Sequence, residues 1–486
     1  MFNLFQNLAV EPFNLCRYKR PRPVKAAHSS PHFTGLMPLP ARLTDHHICI
    51  VGLGYVGLTL AVAMADVGFR VHGVERREDV LAQLAQGKAH FWEPRLDDTL
   101  RRVVTKGMFT FSTNVDQGFN ASVYILTVGT PLGEDGRASL NAVERASAQV
   151  ASVMRDGALV ILRSTVKLGT ARNVVSPVLA RSGRNFEIAV CPERTLEGKA
   201  LIELHELPQI IGANDPETRH RCTQLFGVLT PTTIALSSLE AAELTKLIDN
   251  TYRDVTFAFA NEVASLCGAA GLSANEIIRA GRLGYPRTNV ALPGPVGGPC
   301  LEKDPHILVE SAQSYGVAMG ITAAARAVNE AQPETTVGLL KAHIDGLGGL
   351  EAGAKIALCG LAFKGVPPTD DLRGTMASPI LASLRSAFPE ASIIGFDPVV
   401  AQQDARDFFG IETVATLAEA FDGASVIIVA NNHPVFSGMN VGALAAGMSQ
   451  PAVIYDYWNM YDGLLEAMPE GVHYLALGSE RKAVRP

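Results

Sequence analysis

The sequence lacks most of the features that mark secreted, membrane or metal-binding proteins. Its seven cysteines are scattered and form no C-x-x-C pair, which argues against a zinc site or a disulfide framework and favours free thiols in a reducing cytoplasm. No apolar run reaches the roughly 18 residues that a membrane-spanning helix needs. The net charge of −6 gives no electrostatic reason to expect a nucleic-acid partner. We therefore expect a globular cytoplasmic protein without membrane insertion or a bound metal.

The first 44 residues also lack a long apolar stretch, so they do not resemble a secretory signal. They contain frequent prolines and many basic side chains against a single acid, Glu11. We expect a disordered extension here, or a start assigned too far upstream, with Met37 as the other start. An organelle-targeting or interaction segment is the alternative interpretation.

Short apolar strands alternate with helical stretches in two parts of the chain. The predicted strands of the first series are His46–Val51, Val71–Glu75, Val123–Val128, Leu159–Leu162, Phe186–Val190 and Gln209–Ile211. The second series restarts near Lys355, and its predicted strands are Lys355–Cys359, Ser392–Phe396, Ser425–Ala430 and Ala452–Asp456. Such alternation is typical of parallel, doubly wound α/β sheets. Between the two series, Ser238–Leu266 has almost no glycine or proline and predicts a helix of about 29 residues, roughly 43 Å long at 1.5 Å per residue. The predicted fold class is α/β, with two Rossmann-like doubly wound domains joined by a long central helix.

The length of 486 residues and these patterns predict a division into segments. Residues 1–44 form the basic extension, and residues 45–230 form a dinucleotide-binding Rossmann domain. Residues 231–345 form a central helical region that contains a cysteine-bearing loop and has one helix face available for a symmetric subunit contact. Residues 346–486 form a second Rossmann-like domain, whose first turn, Gly360–Gly365, lacks the full phosphate fingerprint. We expect this domain to bind the substrate rather than a second dinucleotide.

A glycine-rich loop follows the first strand and opens the first helix. It reads Gly52-Leu53-Gly54-Tyr55-Val56-Gly57, the G-x-G-x-x-G pattern of a dinucleotide site. In this context Gly52 permits the tight turn, Gly54 lets the backbone approach the pyrophosphate, and Gly57 allows the helix to pack on the strand. The phosphates would lie at the helix N-terminus. Glycines used for packing alone are the alternative.

An acid, Glu75, ends the second strand at about the 20-residue distance expected of a ribose-binding residue. Its carboxylate can accept hydrogen bonds from a ribose diol and would repel a 2′-phosphate, which favours NAD as the cofactor. Arg76 and Arg77 follow directly, and their positive charges could pair with such a phosphate, so NADP is the alternative.

Cys300 lies in a glycine- and proline-rich loop that is flanked by charge. A thiol reacts as the thiolate, so a reactive cysteine needs a lowered pKa or a nearby base. Gly297 and Gly298 give the backbone freedom to bring amides close to the sulfur. Lys303 supplies a cation, and Asp304 could take or relay a proton. The alternatives are a small buried hydrophobic side chain for Cys300 and a helix cap for Asp304.

Two further groups of polar residues are candidates for the same site. On the long helix, Lys246 and Asn250 share one face among strongly apolar neighbours, which favours a partly buried lysine that acts as an acid, a base or an oxyanion stabiliser. After a strand, Glu193 and Glu197 lie in a loop of the kind that binds ligands in open α/β sheets, and they could hold water or a substrate hydroxyl. A solvated stripe and surface charge are the respective alternatives.

These residues together resemble the UDP-glucose/GDP-mannose dehydrogenase family over about 45–460 of the chain. The motifs that carry the resemblance occur in the order of the family. They are Gly52-x-Gly54-Tyr-Val-Gly57-Leu, Val128-Gly-Thr130-Pro, Ser164-Thr165-Val166, Pro192-Glu193-x-x-x-Glu197-Gly198, Glu243-x-x-Lys246-x-x-x-Asn250, Gly297-Gly-x-Cys300-x-x-Lys303-Asp304, and Phe363-Lys364 with Asp370-Asp371-x-Arg373.

The resemblance implies a four-electron oxidation, in which the C6 alcohol of a nucleotide sugar becomes a carboxylate and NAD is the oxidant. In the scheme of this family, Cys300 would capture the aldehyde as a thiohemiacetal, and a second hydride transfer would leave a thioester that water hydrolyses. Lys246 and Asn250 would stabilise the developing oxyanion, and Asp304 would assist proton transfer.

The resemblance also implies roles for residues around this group. Thr165 and Glu197 would hold the water that acts as base or nucleophile. The implied cofactor contacts come from Thr130, Thr165 and Lys303, and the implied substrate contacts come from Glu193, Arg194, Lys246, Asn250, Arg287, Gly297, Lys364 and Arg373.

Cys191–Lys199 and Tyr285–Asn289 resemble the branch of the family that acts on UDP-N-acetylhexosamines. UDP-glucose enzymes usually carry an aromatic residue where Arg194 stands, and Arg287 would contact the substrate, in one arrangement across a dimer interface. The leading prediction is an NAD-dependent UDP-N-acetylhexosamine 6-dehydrogenase, a homodimer or higher homo-oligomer, that makes a uronic acid for a surface polysaccharide. A UDP-glucose 6-dehydrogenase or another nucleotide-sugar dehydrogenase is the alternative.

The sequence departs from the family pattern in a shortened glycine loop before Cys300, in Glu75 where aspartate is usual, and in Trp458 where arginine is common. Two other classes of protein share part of the pattern. A two-electron β-hydroxyacid dehydrogenase has the architecture and a helix lysine but needs no thiol. A non-catalytic sensor of NAD or nucleotide sugars would bind these ligands without forming NADH, and the intact Cys300 group argues against it.

Overall fold

The computed structural model describes residues 39–40, 43–461 and 468–479. The prediction for residues 1–44 falls almost wholly outside these described residues. Within the described part of the chain, no helix is both long and apolar enough to cross a membrane. Two sheets and an intervening group of helices make up the described structure.

The first sheet and its connections occupy the N-terminal half of the chain. The strands are β1 (His47–Val51), β2 (Arg70–Val74), β3 (Phe109–Ser112), β4 (Val123–Leu126), β5 (Ala158–Leu162), β6 (Phe186–Val190), β7 (Gln209–Gly212) and β8 (Thr233–Leu236). The connecting helices are α1 (Tyr55–Asp66), α2 (Glu78–Ala85), α3 (Leu96–Thr105), α4 (Asn141–Val153), α5 (Ser176–Ala180), α6 (Ala200–Glu206) and α7 (Pro216–Phe226), with a 3-10 turn over Gln117–Phe119 and a π-helical turn over Ala171–Val175.

The strand order β3-β2-β1-β4-β5-β6-β7-β8 confirms a doubly wound sheet, with parallel pairing from β3 to β6. The prediction of a wholly parallel sheet is wrong for β7 and β8. β7 pairs antiparallel with β6 through Val190 and Gly212, and β8 follows β7 in parallel. The short helix α6 lies between β6 and β7, and the chain enters β7 at the edge of the sheet where β6 ends, as an antiparallel connection requires.

The central helices are α8 (Leu239–Ala270), α9 (Ala274–Arg282), α10 (Asp304–Gln313) and α11 (Gly320–Gly346). α8 has 32 residues and confirms the predicted long helix, with an end beyond Leu266. It begins where the Ser238 hydroxyl accepts a hydrogen bond from Ala241 N at 3.1 Å. It ends at Gly271, which has a φ of +71° that a helix cannot continue. α10 and α11 both pack along α8.

The second sheet repeats the strand order of the first. Its strands are β9 (Lys355–Cys359), β10 (Ser392–Phe396), β11 (Glu412–Thr413), β12 (Ala424–Val429), β13 (Ala452–Asp456) and β14 (Val472–Ala476), and its helices are α12 (Ala377–Ala387), α13 (Gln402–Phe409), α14 (Leu417–Phe421), α15 (Pro434–Ser437) and α16 (Val441–Ala445). All strands are parallel, in the order β11-β10-β9-β12-β13-β14. The prediction of a second doubly wound domain is confirmed.

In each sheet the strand order reverses beside the first strand, between β1 and β4 and between β9 and β12. Ligands of open α/β sheets bind in the crevice at such a reversal, outside the carboxyl ends of the strands. The loops that follow β1, β5, β6 and β9 are therefore where a site should lie.

Candidate active site

The glycine loop after β1 forms an open cradle at the N-terminus of α1. Gly52 has a φ of +99°, a conformation that favours glycine. A Cβ on Gly57 would lie 1.8 Å from Gly52 O, so α1 approaches the loop this closely only without a side chain there. A Cβ on Gly54, by contrast, would have no protein atom within 4 Å. The space in front of Gly54 can therefore hold a pyrophosphate, and the loop fits a dinucleotide.

Glu75 lies beside this cradle. Its carboxylate accepts hydrogen bonds from Leu53 N at 3.2 Å and from Arg77 N at 3.1 Å. The Arg76 side chain is exposed. Burial, and then the charge of Arg77, lower the pKa of His90 to about 4, so this imidazole next to the cradle is neutral near pH 7. The contact between Glu75 and a ribose stays a prediction, and the position of Glu75 beside the glycine loop suits such a contact.

Tyr55 connects the cradle to the loop that carries Glu197. The Tyr55 hydroxyl donates to the Glu93 carboxylate and accepts a hydrogen bond from Gly198 N at 3.0 Å. Gly198 N also donates to Glu93 at 2.7 Å. Burial raises the pKa of Glu93 even though these hydrogen bonds oppose the shift. The sequence interpretation missed Glu93, for which the signal was a single acid in the aromatic stretch after α2.

Thr130 and Thr165 lie together, because the Thr130 hydroxyl donates to Thr165 O at 2.5 Å. The loop beyond Thr165 is held by α8, where Glu243 accepts hydrogen bonds from Gly169 N at 2.6 Å and Ala171 N at 2.7 Å. Burial raises the pKa of Glu243 to about 7, against the effect of these two donors. Glu243 therefore anchors the loop that follows Thr165 to the central helix α8.

Cys300 differs from the other cysteines that the structure describes. Of six described cysteines, five are buried and Cys300 alone is exposed. The alternative of a buried hydrophobic side chain is therefore wrong. The residue as a whole is exposed, yet protein surrounds its thiol closely, and this desolvation raises the pKa of the thiol. The positive charges of Lys246 and Lys303 oppose this increase, whereas Asp304 and Glu197 add to it.

Asp304 is fully buried at the first residue of α10 and joins two other predicted residues. Asn250 Nδ2 donates to its Oδ2 at 2.5 Å, and Lys303 Nζ donates to its Oδ1 at 2.5 Å. No side chain caps α10, whose N-cap position is Lys303. Helix capping therefore does not account for Asp304. Lys246, one turn before Asn250 on α8, is also buried.

Both carboxylate oxygens of Glu193 make internal contacts. Arg163, directly after β5, forms a buried ion pair with one oxygen. The other oxygen accepts hydrogen bonds from Arg194 N at 2.7 Å and Thr195 N at 2.8 Å. Burial opposes the charged form, but Arg163 and these donors hold the pKa of Glu193 below its ordinary value. The pair thus organises the loop that carries Glu197.

The sequence interpretation missed Arg163, although a signal for it existed. Arg163 and Glu193 follow β5 and β6, which are neighbours in the sheet. Charged residues at the carboxyl ends of adjacent parallel strands come close together in the fold. The substrate contact predicted for Glu193 stays a prediction.

Glu197 lies between the two domains, next to charged residues of the second. Arg373 Nη2 is 3.4 Å from Glu197 Oε1, and Lys364 Nζ donates to Glu197 O at 2.6 Å. Asp371 in turn binds the Arg373 guanidinium at 3.0 Å. Burial, and then the charge of Asp371, raise the pKa of Glu197 to about 8, whereas burial lowers that of Lys364 to about 8. The structure thus brings the predicted residues Glu197, Lys364 and Arg373 into one cluster.

The glycines before Cys300 let its loop contact the second domain. Gly298 N donates to Gly374 O at 2.7 Å. A Cβ on Gly297 would lie 2.3 Å from the same oxygen, and one on Gly298 would lie 2.4 Å from the Phe363 ring. These glycines therefore serve a close interdomain contact in addition to any role near the sulfur.

Trp458 stands where the family commonly has arginine, and it supports the start of this loop. Its indole ring would lie 2.9 Å from a Cβ on Gly294, and its Nε1 donates to Ala430 O at 3.1 Å. The shortened loop therefore meets an aromatic surface of the second domain.

Two predicted substrate residues make other contacts. Arg194 donates to Pro208 O at 2.7 Å and lies 3.6 Å from Asp249 on α8. Arg287 is exposed, and its Nε donates to the Tyr285 hydroxyl at 3.0 Å. Within the described single chain, neither is joined to the cluster around Cys300.

Comparison with known proteins agrees with the family resemblance of the motifs. Models of the UDP-glucose/GDP-mannose dehydrogenase family match residues 46–230 as the NAD binding domain, 240–331 as the central domain and 357–463 as the UDP binding domain. A UDP-N-acetyl-D-mannosamine dehydrogenase of Pyrococcus horikoshii is 33% identical over 412 residues, which cover 84% of this chain and 94% of that protein.

Solved structures agree with these matches. A structure of the UDP-D-ManNAc dehydrogenase of Pyrococcus horikoshii has a TM-score of 0.80 and 31% identity and covers 90% of this chain and 100% of its own. A UDP-glucose dehydrogenase of the archaeon Pyrobaculum islandicum has a TM-score of 0.79 and 27% identity and covers 91% of this chain and 100% of its own.

The chain therefore belongs to the UDP-glucose/GDP-mannose dehydrogenase family, as the motifs predicted. It is an NAD-dependent nucleotide-sugar dehydrogenase, and the predicted cofactor NAD is confirmed.

Gly54→Ala tests the cradle. We expect the NAD dissociation constant to rise about tenfold, equivalent to roughly 1.4 kcal/mol, because the added methyl group would occupy the space for the pyrophosphate. The unfolding temperature should not change, since that methyl would meet no protein atom within 4 Å. Gly57→Ala is the matched variant, whose methyl would meet Gly52 O at 1.8 Å and should lower the unfolding temperature. Unchanged NAD affinity in Gly54→Ala, measured by calorimetric titration, would contradict this use of the space.

Proposed function

We propose that this enzyme oxidises the C6 alcohol of a UDP-N-acetylhexosamine to the uronic acid in a four-electron reaction that passes through a thioester on Cys300. The observation that carries the proposal is the setting of Cys300, an exposed residue whose thiol is acted on by the charges of Lys246, Lys303 and Asp304. The uronic acid would serve the synthesis of a surface polysaccharide.

The chemistry needs two oxidations with one covalent intermediate between them. Bound NAD⁺ supplies the two-electron acceptor for each oxidation, and two molecules are used per sugar. After the alcohol has become an aldehyde, Cys300 Sγ adds to the aldehyde carbon, and a proton passes to the oxygen to give a thiohemiacetal. Loss of a hydride and of the hydroxyl proton leaves a thioester. Water then adds to the thioester carbon, and the C–S bond breaks to release the uronate and the thiol.

The surrounding residues have chemistry that suits these steps. Lys246 and Asn250 would stabilise the negative oxygen, because both are donors buried on one face of α8. Asp304, hydrogen-bonded to Asn250 at 2.5 Å, would accept and return protons. Glu197, with Thr165, would hold the water for hydrolysis.

The substrate class is supported by the relatives. The Pyrococcus horikoshii protein, matched over most of both chains, is named a UDP-N-acetyl-D-mannosamine dehydrogenase. The segment that matches the UDP binding domain contains Lys364 and Arg373, whose positive charges suit a nucleotide diphosphate. UDP-glucose is the second candidate, because the Pyrobaculum islandicum structure has a similar TM-score of 0.79.

Cys300→Ala tests the thiol mechanism directly. The wild-type enzyme should form two NADH per sugar with one of UDP-GlcNAc, UDP-ManNAc, UDP-GalNAc and UDP-glucose. In Cys300→Ala, uronate formation should fall by a factor on the order of 10⁶, the size of loss seen when a covalent nucleophile is removed. The measurement is NADH absorbance together with product mass, and the buried Cys267→Ala on the same protein is the control.

Other outcomes of this experiment would point to other classes. One NADH per sugar that Cys300→Ala leaves unchanged would indicate a two-electron β-hydroxyacid-type dehydrogenase. Binding of all four sugars without NADH would indicate a sensor or a different nucleotide sugar.

The pH dependence tests Glu197. Because burial and Asp371 raise its pKa to about 8, the carboxylate forms only as the pH rises through that value. If Glu197 activates the water, kcat should rise with pH, reach half its maximum near pH 8 and level off above that value. Asp371→Asn removes a neighbouring negative charge, so the rising limb should move to lower pH.

Asp370→Asn is the matched control for this test. Asp370 accepts a hydrogen bond from Trp92 N at 2.9 Å and is not among the main charges acting on Glu197. A rising limb that stays in place in Asp371→Asn would assign the pH dependence to another group, such as the thiol, whose pKa is governed by other neighbours.

We also propose that the enzyme is a homodimer formed through α8. Ile248, Tyr252, Phe259 and Leu266 are 49–69% exposed and recur at helical spacing along one side of this helix. Large exposed apolar surfaces of this kind mark protein contacts. Arg287, exposed near the end of α9, would then be able to reach the substrate of the partner subunit.

Phe259→Asp should convert the dimer into monomers, because it places a charge within the apolar stripe of α8. Light scattering coupled to size exclusion measures the mass. Phe408→Asp on α13 is the control, since Phe408 is 52% exposed and Phe259 is 53% exposed. A wild-type monomer, or a dimer that survives Phe259→Asp but not Phe408→Asp, would contradict the proposed interface.

A further inference from the structure

We infer that Arg326 is a positioning residue, which holds the cysteine loop against α8 and thereby sets where the Cys300 sulfur lies relative to Lys246 and Asn250. Its effect on turnover rests on the thiol mechanism proposed above. Neither the motifs nor the sequence interpretation singled out this arginine of α11.

The Arg326 guanidinium spans the loop on both sides of Cys300. Nη1 donates to Leu301 O at 2.7 Å, and Nη2 reaches Val296 O at 3.5 Å. Arg326 is only 4% exposed, so water does not compete strongly for these carbonyl groups. The backbone immediately after the reactive cysteine is therefore held by a rigid, planar group.

The same guanidinium is attached to the helix that carries the other catalytic candidates. Arg326 Nη1 donates to Asp254 Oδ1 at 2.7 Å, and Asp254 is fully buried on α8. Asn329 Nδ2 donates to Asp254 Oδ1 at 2.9 Å and to Asp254 O at 3.1 Å, which holds this carboxylate in place. Asp254 follows Asn250 by one helical turn, so the two side chains lie on the same side of α8. Through Arg326 and Asp254, the position of the cysteine loop is therefore fixed relative to Asn250.

A separate contact holds the entry to the loop. Gly294 N donates to Asn261 Oδ1 at 3.0 Å, and Asn261 Nδ2 donates to Gly294 O at 3.2 Å. This contact does not involve Arg326. A change at Arg326 should therefore release the part of the loop next to Cys300 while its start stays in place.

A buried ion pair adds little to the free energy of unfolding by itself, because the desolvation of both charges offsets much of their attraction. The Arg326–Asp254 pair instead supplies directed hydrogen bonds to carbonyl groups that a hydrophobic pair could not hold. A reacting sulfur needs such placement, because small errors in the geometry of a reacting group reduce the rate strongly.

Arg326→Lys tests the inference. The lysine keeps a positive charge opposite Asp254, but its single nitrogen replaces the planar guanidinium. One nitrogen cannot donate to both Leu301 O and Val296 O. We expect kcat to fall about 100-fold, the loss typical of a misplacement of about 1 Å, with little change in KM for the UDP-sugar or in NAD affinity. The apparent pKa of Cys300 should increase, because the thiolate would lie less favourably to Lys246.

The thiol pKa is measured from the pH dependence of iodoacetamide alkylation, followed on the Cys300 peptide by mass spectrometry. This assay needs no substrate, so it reports the thiol position even if the proposed sugar oxidation fails. Failure of the proposed function would appear instead as one NADH per sugar in the wild-type enzyme.

Lys341→Met is the matched control, since Lys341 is a half-exposed cation of the same helix, paired with Asp345 at 2.8 Å. It should leave kcat and the alkylation profile unchanged. If Arg326→Lys does not fold, Asp254→Asn with Arg326→Gln replaces the ion pair by neutral hydrogen-bonding groups and carries the same test. Wild-type kcat together with an unchanged alkylation profile would overturn the inference. A fall in kcat that is accompanied by clear losses of thermal stability and NAD affinity would also overturn it, because that pattern indicates general damage to the fold.

Discussion

Helix α8 packs into the cores of both domains, and the site is built along its middle. Leu239 and Ala242 belong to a core of the first sheet, whereas Ala264 and Cys267 belong to a core of the second. At 1.5 Å per residue its 32 residues extend over roughly 48 Å. A continuous helix of this length, packed at both ends, sets the separation between the nucleotide cradle and the second domain. The loops that meet between the domains therefore face each other in one arrangement.

Burial of charge is the second constraint on this site. Desolvation raises the pKa of Cys300, Glu197 and Glu243 and lowers that of Lys364. Each of these groups lies where loops or helices of different elements meet, so its environment depends on the assembled fold. The pKa values of Glu197, Glu243 and Lys364 lie near neutrality because of this packing rather than because of residue type, as is common where proton transfer is needed.

The strands that the sequence did not predict are β3, β8, β11 and β14, the four edges of the two sheets. Central strands are buried on both faces and need continuous apolar runs, which are visible in a sequence. Edge strands pack on fewer neighbours and tolerate polar residues, as in the Phe-Thr-Phe-Ser sequence of β3 or the two residues of β11. The reversed direction of β7 was likewise not visible, because an apolar run carries no information about direction.

Local motifs were sufficient to identify the family, its fold, the glycine loop and most residues predicted around Cys300. Those predictions rest on residue chemistry and short spacing, which the sequence by itself determines. The partners that position them could be found only in the tertiary structure: Arg163 lies 30 residues from Glu193, and Arg326 lies 72 residues from Asp254. These pairs form because the sheets and α8 bring distant segments together, and separation along the chain does not encode that meeting.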